Sequence, residues 1–127
     1  MMIVLAAAIV AIAMPALLRA QTQGEMNGDA CNDAAGADAQ LTQTYTQVLA
    51  AHADDEVFLA KIKAAEKAWS AFRDAEIKAV YPSEDSFNGS ALPMCTCTER
   101  AQLTKDRIKQ LQSWLKKSED VCAGSRG

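Results

Sequence analysis

Apolar residues recur along the middle of this chain at helical spacing. Leu41, Tyr45, Val48, Leu49 and His52 fall four, three, one and three apart, one face of a helix beginning near Asp38. Asp54-Asp55-Glu56 then supplies acid where a second helix would start, as the helix dipole favours. Phe58, Ile62, Ala65, Trp69, Phe72 and Glu76 alternate steps of four and three, and Ile77 and Val80 widen the stripe. This pattern predicts a helix over about 55–80, the longest of the chain. Tyr81-Pro82 ends it, because proline cannot continue a helix and turns the preceding residue from helical angles. Residues 82–94 read as a loop, with two prolines, Asn88-Gly89 and several Ser and Asp. A third helix is predicted over about 98–118. Thr98, Glu99 and Gln102 open it, Leu103, Arg107/Ile108, Leu111 and Trp114/Leu115 form its face, and Lys116 and Lys117 suit its end.

No alternating strand pattern and no internal repeat is present. The expected fold is all-α, a small antiparallel three-helix domain stapled by disulfides. Residues 38–122 form the helical domain and 123–127 a tail. Residues 21–37, polar and carrying Gly24 and Gly28, read as a flexible lead-in.

Residues 1–18 are apolar and uncharged, interrupted by Pro15, and Arg19-Ala20-Gln21 follows. This resembles the apolar core and small-residue cleavage site of a signal peptide spanning 1–20, although no Lys or Arg precedes it. The alternative is an uncleaved membrane anchor, the one case in which the protein would meet a membrane. Thirteen Lys and Arg against sixteen Asp and Glu give a net charge of −3. Cleavage would remove Arg19 and make the remainder one unit more acidic. A mildly acidic chain is not built for nucleic acid and would be drawn to a cationic partner.

The four cysteines, Cys31, Cys95, Cys97 and Cys122, read with the leader as a disulfide set in an exported protein. A bond between Cys95 and Cys97 would close a very small, strained ring. The simpler expectation clamps Cys31 and Cys122 against Cys95 and Cys97, in either assignment. Each such bond contributes about 2–5 kcal/mol in the chain-entropy model. Cys-x-Cys with the single His52 lacks the spacing of a zinc site, and no Cys-x-x-Cys points to redox catalysis. No metal and no cofactor is expected.

Catalytic chemistry finds little support. His52, on the apolar face near the end of the first helix, reads as a partly buried structural histidine. Asn88-Gly89-Ser90 lacks the flanks of a nucleophile elbow, although it matches a glycosylation sequon. Acidic residues at helix starts and in loops are usually solvated rather than catalytic. Arg73 and Arg107 lie within helical seams and need acceptors, for which Asp74, Glu76 or loop carbonyls are candidates. A structural network joining the second and third helices is preferred over ligand binding.

The run Trp69-Ser70-Ala71-Phe72-Arg73-Asp74-Ala75-Glu76 resembles the W-x-x-[FY]-R-D-A-E core of the LprI-like lysozyme-inhibitor family. Glu25-Met26-Asn27, Cys31, Ala37-Asp38, Leu41 and Tyr45 resemble its N-terminal pattern. Gly89-Ser90 with Pro93-Met94, and Leu103-Thr104 with Arg107 and Leu111, resemble its loop and last helix. The likeness runs over about 25–115, with Trp69, Phe72, Arg73, Asp74, Thr104 and Arg107 as its structural motif. Two departures stand together: Ile77 and Glu99 occupy positions where the family usually places cysteines. The pair looks lost as a unit, and the disulfide framework rewired. Thr42 stands where the family has Asn.

The resemblance implies an exported, non-enzymatic helical protein of the periplasm or cell exterior whose partner is a lysozyme. The loop is the part expected to probe the acidic cleft of such an enzyme. Glu84, Asp85, Ser86, Asn88 and Ser90 would hydrogen-bond at sugar-binding subsites, with Phe87 as an apolar anchor. The alternatives are a loop that merely links two helices, and an envelope structural or interaction module without lysozyme activity.

Overall fold

The structure is a computed structural model and describes residues 20–82 and 89–126. Three helices account for most of this length: α1 (Gln23–Ala51), α2 (Glu56–Val80) and α3 (Leu92–Gln112). Short 3-10 turns follow at Gly89–Ala91, Ser113–Leu115 and Gly124–Arg126. The fold is all-α, as the periodicity predicts.

Successive helices run antiparallel, so α1 and α3 run parallel. The register is read from cross-helix pairs. Cys31 meets Cys97, Asp38 meets Arg100, and His52 meets Trp114 along α1 and α3. On α2 the order reverses: Phe58 lies by Trp114, Glu66 by Arg107 and Arg73 by Asp38. The first and third helices form the most closely packed pair. The residues buried along their first halves are small, Ala34 and Ala37 on α1 and Ala101 and Thr104 on α3. Small side chains let two helix axes approach.

The apolar core gathers at one end. Leu41, Val48, Phe58, Ile62, Ile108 and Leu111 are buried there, with Tyr45, Leu49, Leu59, Trp69 and Trp114 packed against them. Each fully buried aliphatic or aromatic side chain contributes about 1.5–3 kcal/mol. The helix reading of 41–52 and 58–62 is that of the core itself.

Three expectations are corrected. First, α1 starts at Gln23, so most of the predicted lead-in is helix and α1, with 29 residues, exceeds the 25 of α2. A capping box sets this start: the Glu25 amide donates to Thr22 Oγ1 (3.2 Å), and the Thr22 amide donates to the Glu25 carboxylate (2.8 Å). Second, α3 spans Leu92–Gln112 rather than 98–118. Pro93 lies in its first turn, where a missing N–H costs nothing, and the preceding Gly89 takes a left-handed φ of 49° as the chain turns in. Third, the inward face of α2 is displaced by about one residue from the apolar stripe. Glu66 is half-buried and Arg73 buried, whereas Ala65 is exposed and Phe72 stands 52% exposed.

Candidate functional site

The three helices present two features able to carry function: a polar seam at mid-height, and the clamped end from which the 82–89 connection springs. The seam centres on Asp38 of α1. Its Oδ2 accepts from Arg100 Nη2 (2.7 Å) and Nε (2.9 Å), both from α3. Its Oδ1 accepts from Arg73 Nη1 of α2 (3.3 Å) and from Thr104 Oγ1 (3.4 Å). One carboxylate thus engages all three helices. Asp74 Oδ1 accepts from Arg73 Nε (3.1 Å) and lies 3.8 Å from Arg100 Nη1.

About two helical turns nearer the core, Arg107 Nε donates to Glu66 Oε2 (2.9 Å) and Nη1 to Gln110 Oε1 (3.1 Å). Trp69 lies between the two levels, its ring centroid 5.1 Å from the Arg73 guanidinium carbon and 5.9 Å from that of Arg107. Arg73 and Arg107 are only 7% and 8% exposed, and Thr104 is fully enclosed. Guanidiniums this deep must be paired, which Asp38 and Glu66 accomplish. Arg107 Nη2 is buried with no hydrogen-bond partner among the described residues. The Tyr45 phenol has its pKa raised above the usual value, first by burial and then by the Glu66 carboxylate.

Of the acceptors the sequence suggests, Asp74 serves Arg73, while Asp38 and Glu66 emerge only from the fold. Their signal was present: Glu66, Trp69 and Arg73 are spaced three and four, as are Arg100, Thr104 and Arg107. A reading that scores only apolar residues passes over both rows.

At the other end, Cys31 and Cys97 form a disulfide with a Cα–Cα distance of 4.9 Å. Cys95 and Cys122 are free, so the second bond of the predicted clamp is absent. Cys95 lies near the start of α3, and Cys122 lies in the tail beyond its far end. The intervening helix is about 25 Å long, several times what a disulfide spans. The tail instead folds back on Trp114, whose Nε1 donates to Ser125 Oγ (3.2 Å) while Arg126 stacks 5.8 Å from the ring.

Beside the disulfide, Asn27 Nδ2 donates to the Ser90 carbonyl (2.9 Å), fixing the point where the connection enters α3. A groove of about 610 Å³ lies here, lined by Ile77, Tyr81, Leu92, Pro93 and Thr96. The Tyr81 phenol has its pKa raised by burial, then by Cys95 and Glu99. Glu84, Asp85, Ser86, Phe87 and Asn88 of the expected partner-binding set lie outside the described residues, as does the leader up to Arg19. Ser90 is exposed at the loop exit.

His52 caps the end of α1. Its Nε2 lies 3.2 Å from the Trp114 carbonyl, which places the proton on that nitrogen, and its ring stacks on Phe58 at 4.1 Å. Asp55 caps α2 by accepting from the Phe58 amide (2.9 Å). Among the described residues, no three His, Cys, Asp or Glu side chains are grouped to hold a metal ion. No helix among them is long and apolar enough to cross a membrane.

Neither curated proteins nor solved structures give a match to this chain. The family profile described as lysozyme inhibitor LprI matches residues 14–111. That span takes in all of α1 and α2 and all but the last residue of α3, with the Asp38 seam and the Cys31–Cys97 bond inside it. The chain therefore belongs to the lysozyme inhibitor LprI family.

Proposed function

We propose that this protein is exported to the periplasm or cell exterior and inhibits a lysozyme by binding it and blocking its cleft, without catalysis of its own. Family membership supports the partner class. The apolar leader and the disulfide support the compartment. The observation that carries the reading is the construction of the clamped end. Disulfide, Asn27–Ser90 hydrogen bond and Gly89 turn hold the entry to α3. The stretch that leads into this entry carries Glu84, Asp85, Ser86, Phe87, Asn88 and Ser90 in the sequence, and it is the part assigned to the cleft. The net negative charge favours encounter with a basic enzyme.

The test is muramidase activity of c-type and g-type lysozymes incubated with the purified protein. The expected result is loss of activity at micromolar inhibitor, weakened when Glu84, Asp85 and Phe87 are replaced together by Ala. Full activity with every lysozyme tried overturns the proposal.

A second reading is an envelope interaction module without lysozyme activity. That reading expects co-purification with another envelope protein, and no effect of loop substitutions on cell-wall lysis.

A further inference from the structure

The two ends of the bundle are held by different means. At the core end, six buried apolar residues tie the helices together. At the other end, the first buried residue of α1 is Ala34 and that of α3 is Ala101. Before those positions no side chain is fully buried among the described residues, and the two helices are joined by the Cys31–Cys97 bond, by polar contacts and by partly buried side chains such as Met26 and Met94. The polar contacts include Asn27 to the Ser90 carbonyl and Gln23 Nε2 to the Met94 sulfur (3.9 Å), with Lys105 to Asp33 (2.7 Å), between two half-exposed side chains, one turn further along α3. The stretch of α1 concerned is a poor helix former, carrying Gly24, Gly28, Asn27, Asp29, Asn32 and Asp33. The facing start of α3 has no side-chain cap.

We propose that the Cys31–Cys97 bond is a redox latch on this end of the molecule. A dithiol reductant donates two electrons and two protons. The S–S bond breaks, Cys31 and Cys97 become thiols, and the reductant closes to its own disulfide. Residues 23–33 then separate from 89–97 while the core end stays folded. Opening frees the Ser90 carbonyl from Asn27, uncovers Cys95, and gathers three thiols at one place. The latch requires nothing of lysozyme binding, and it stands or falls separately.

Hydrogen exchange followed by mass spectrometry on the purified protein, before and after complete reduction by dithiothreitol, tests this. On reduction, amides of 23–33 and 89–97 exchange at least about tenfold faster, while 41–52, 58–70 and 104–112 keep their protection. Near-ultraviolet circular dichroism from Trp69 and Trp114 is retained, and alkylation of Cys95 accelerates. Reoxidation restores the starting pattern, and the Cys31→Ser/Cys97→Ser variant behaves as the reduced protein under all conditions. Unchanged protection at 23–33 after reduction overturns the latch, because the polar ties then suffice. Loss of protection throughout overturns it equally, because the two ends are then one cooperative unit.

Discussion

Asp38 joins all three helices through one carboxylate. It is the shared acceptor for guanidiniums from two other helices, one of which, on Arg73, is almost fully enclosed. Removing one partner of such a pair strands the other charge. Asp38→Ala is expected to lower stability by about 2 kcal/mol, moderated because Asp38 itself is about one-third exposed. Asp74→Ala, removing a carboxylate that is 54% exposed, is expected to cost under about 1 kcal/mol. Urea denaturation of the two variants measures the contrast, and equal losses would contradict the arrangement. The chain's two tyrosines offer a second probe at this scale. Both phenols have pKa values raised above 10.0, Tyr45 by burial and Glu66, Tyr81 by burial, Cys95 and Glu99. The native state holds these protons longer than the unfolded chain. Their contribution to stability is therefore complete below pH 10 and is lost as pH rises through the folded values. Following the phenolate absorbance should give a midpoint above 10 in the native protein and near 10 in denaturant.

At the scale of the element, α2 shows where periodicity succeeds and where it misleads. Its first turns, Phe58 to Ile62, face the core as their spacing predicts. Beyond them the inward positions become Glu66, Trp69 and Arg73, and the apolar Phe72 is left outside. A helix that must pair charges with its neighbours turns its polar row inward. Trp69→Ala is expected to cost about 2–3 kcal/mol, while Phe72→Ser stays within about 0.5 kcal/mol. Thermal unfolding of both variants decides whether the displaced face is real. The same helix bears on the missing cysteine pair. Ile77 lines the groove beside α3, and Tyr81, one turn on, feels both Cys95 and Glu99. Positions 77 and 99 thus belong to facing stretches of α2 and α3. The Ile77→Cys/Glu99→Cys variant is expected to form a disulfide, seen by non-reducing mass mapping. It should gain about 3 kcal/mol against urea in the chain-entropy model. Absence of the bond under oxidising conditions would show the two stretches to be further apart.

For the molecule as a whole, the number and order of helices were legible because Leu41–Val48, Phe58–Ile62 and Ile108–Leu111 repeat at helical steps with a proline break between the second and third. What escaped was set by pairing rather than by pattern. The start of α1 rests on one capping box and on packing against α3, neither of which an apolar count registers. The cysteine connectivity depended on which ends of the helices meet, and Cys122 proved to lie at the wrong end of α3. The acceptors Asp38 and Glu66 became visible only when three helices were brought together. The parallel pairing of α1 with α3 has a further consequence, in time rather than in space. Partners such as His52 and Trp114, or Cys31 and Cys97, are 62 and 66 residues apart, so the closest interface joins helices with a third between them in the chain. During synthesis, or while threading through a narrow passage, α1 emerges long before its partner. Its pairing with α3 waits for that helix, and this separation slows folding relative to a simple helical hairpin. The closest packing in the fold thus forms only once the third helix has been made.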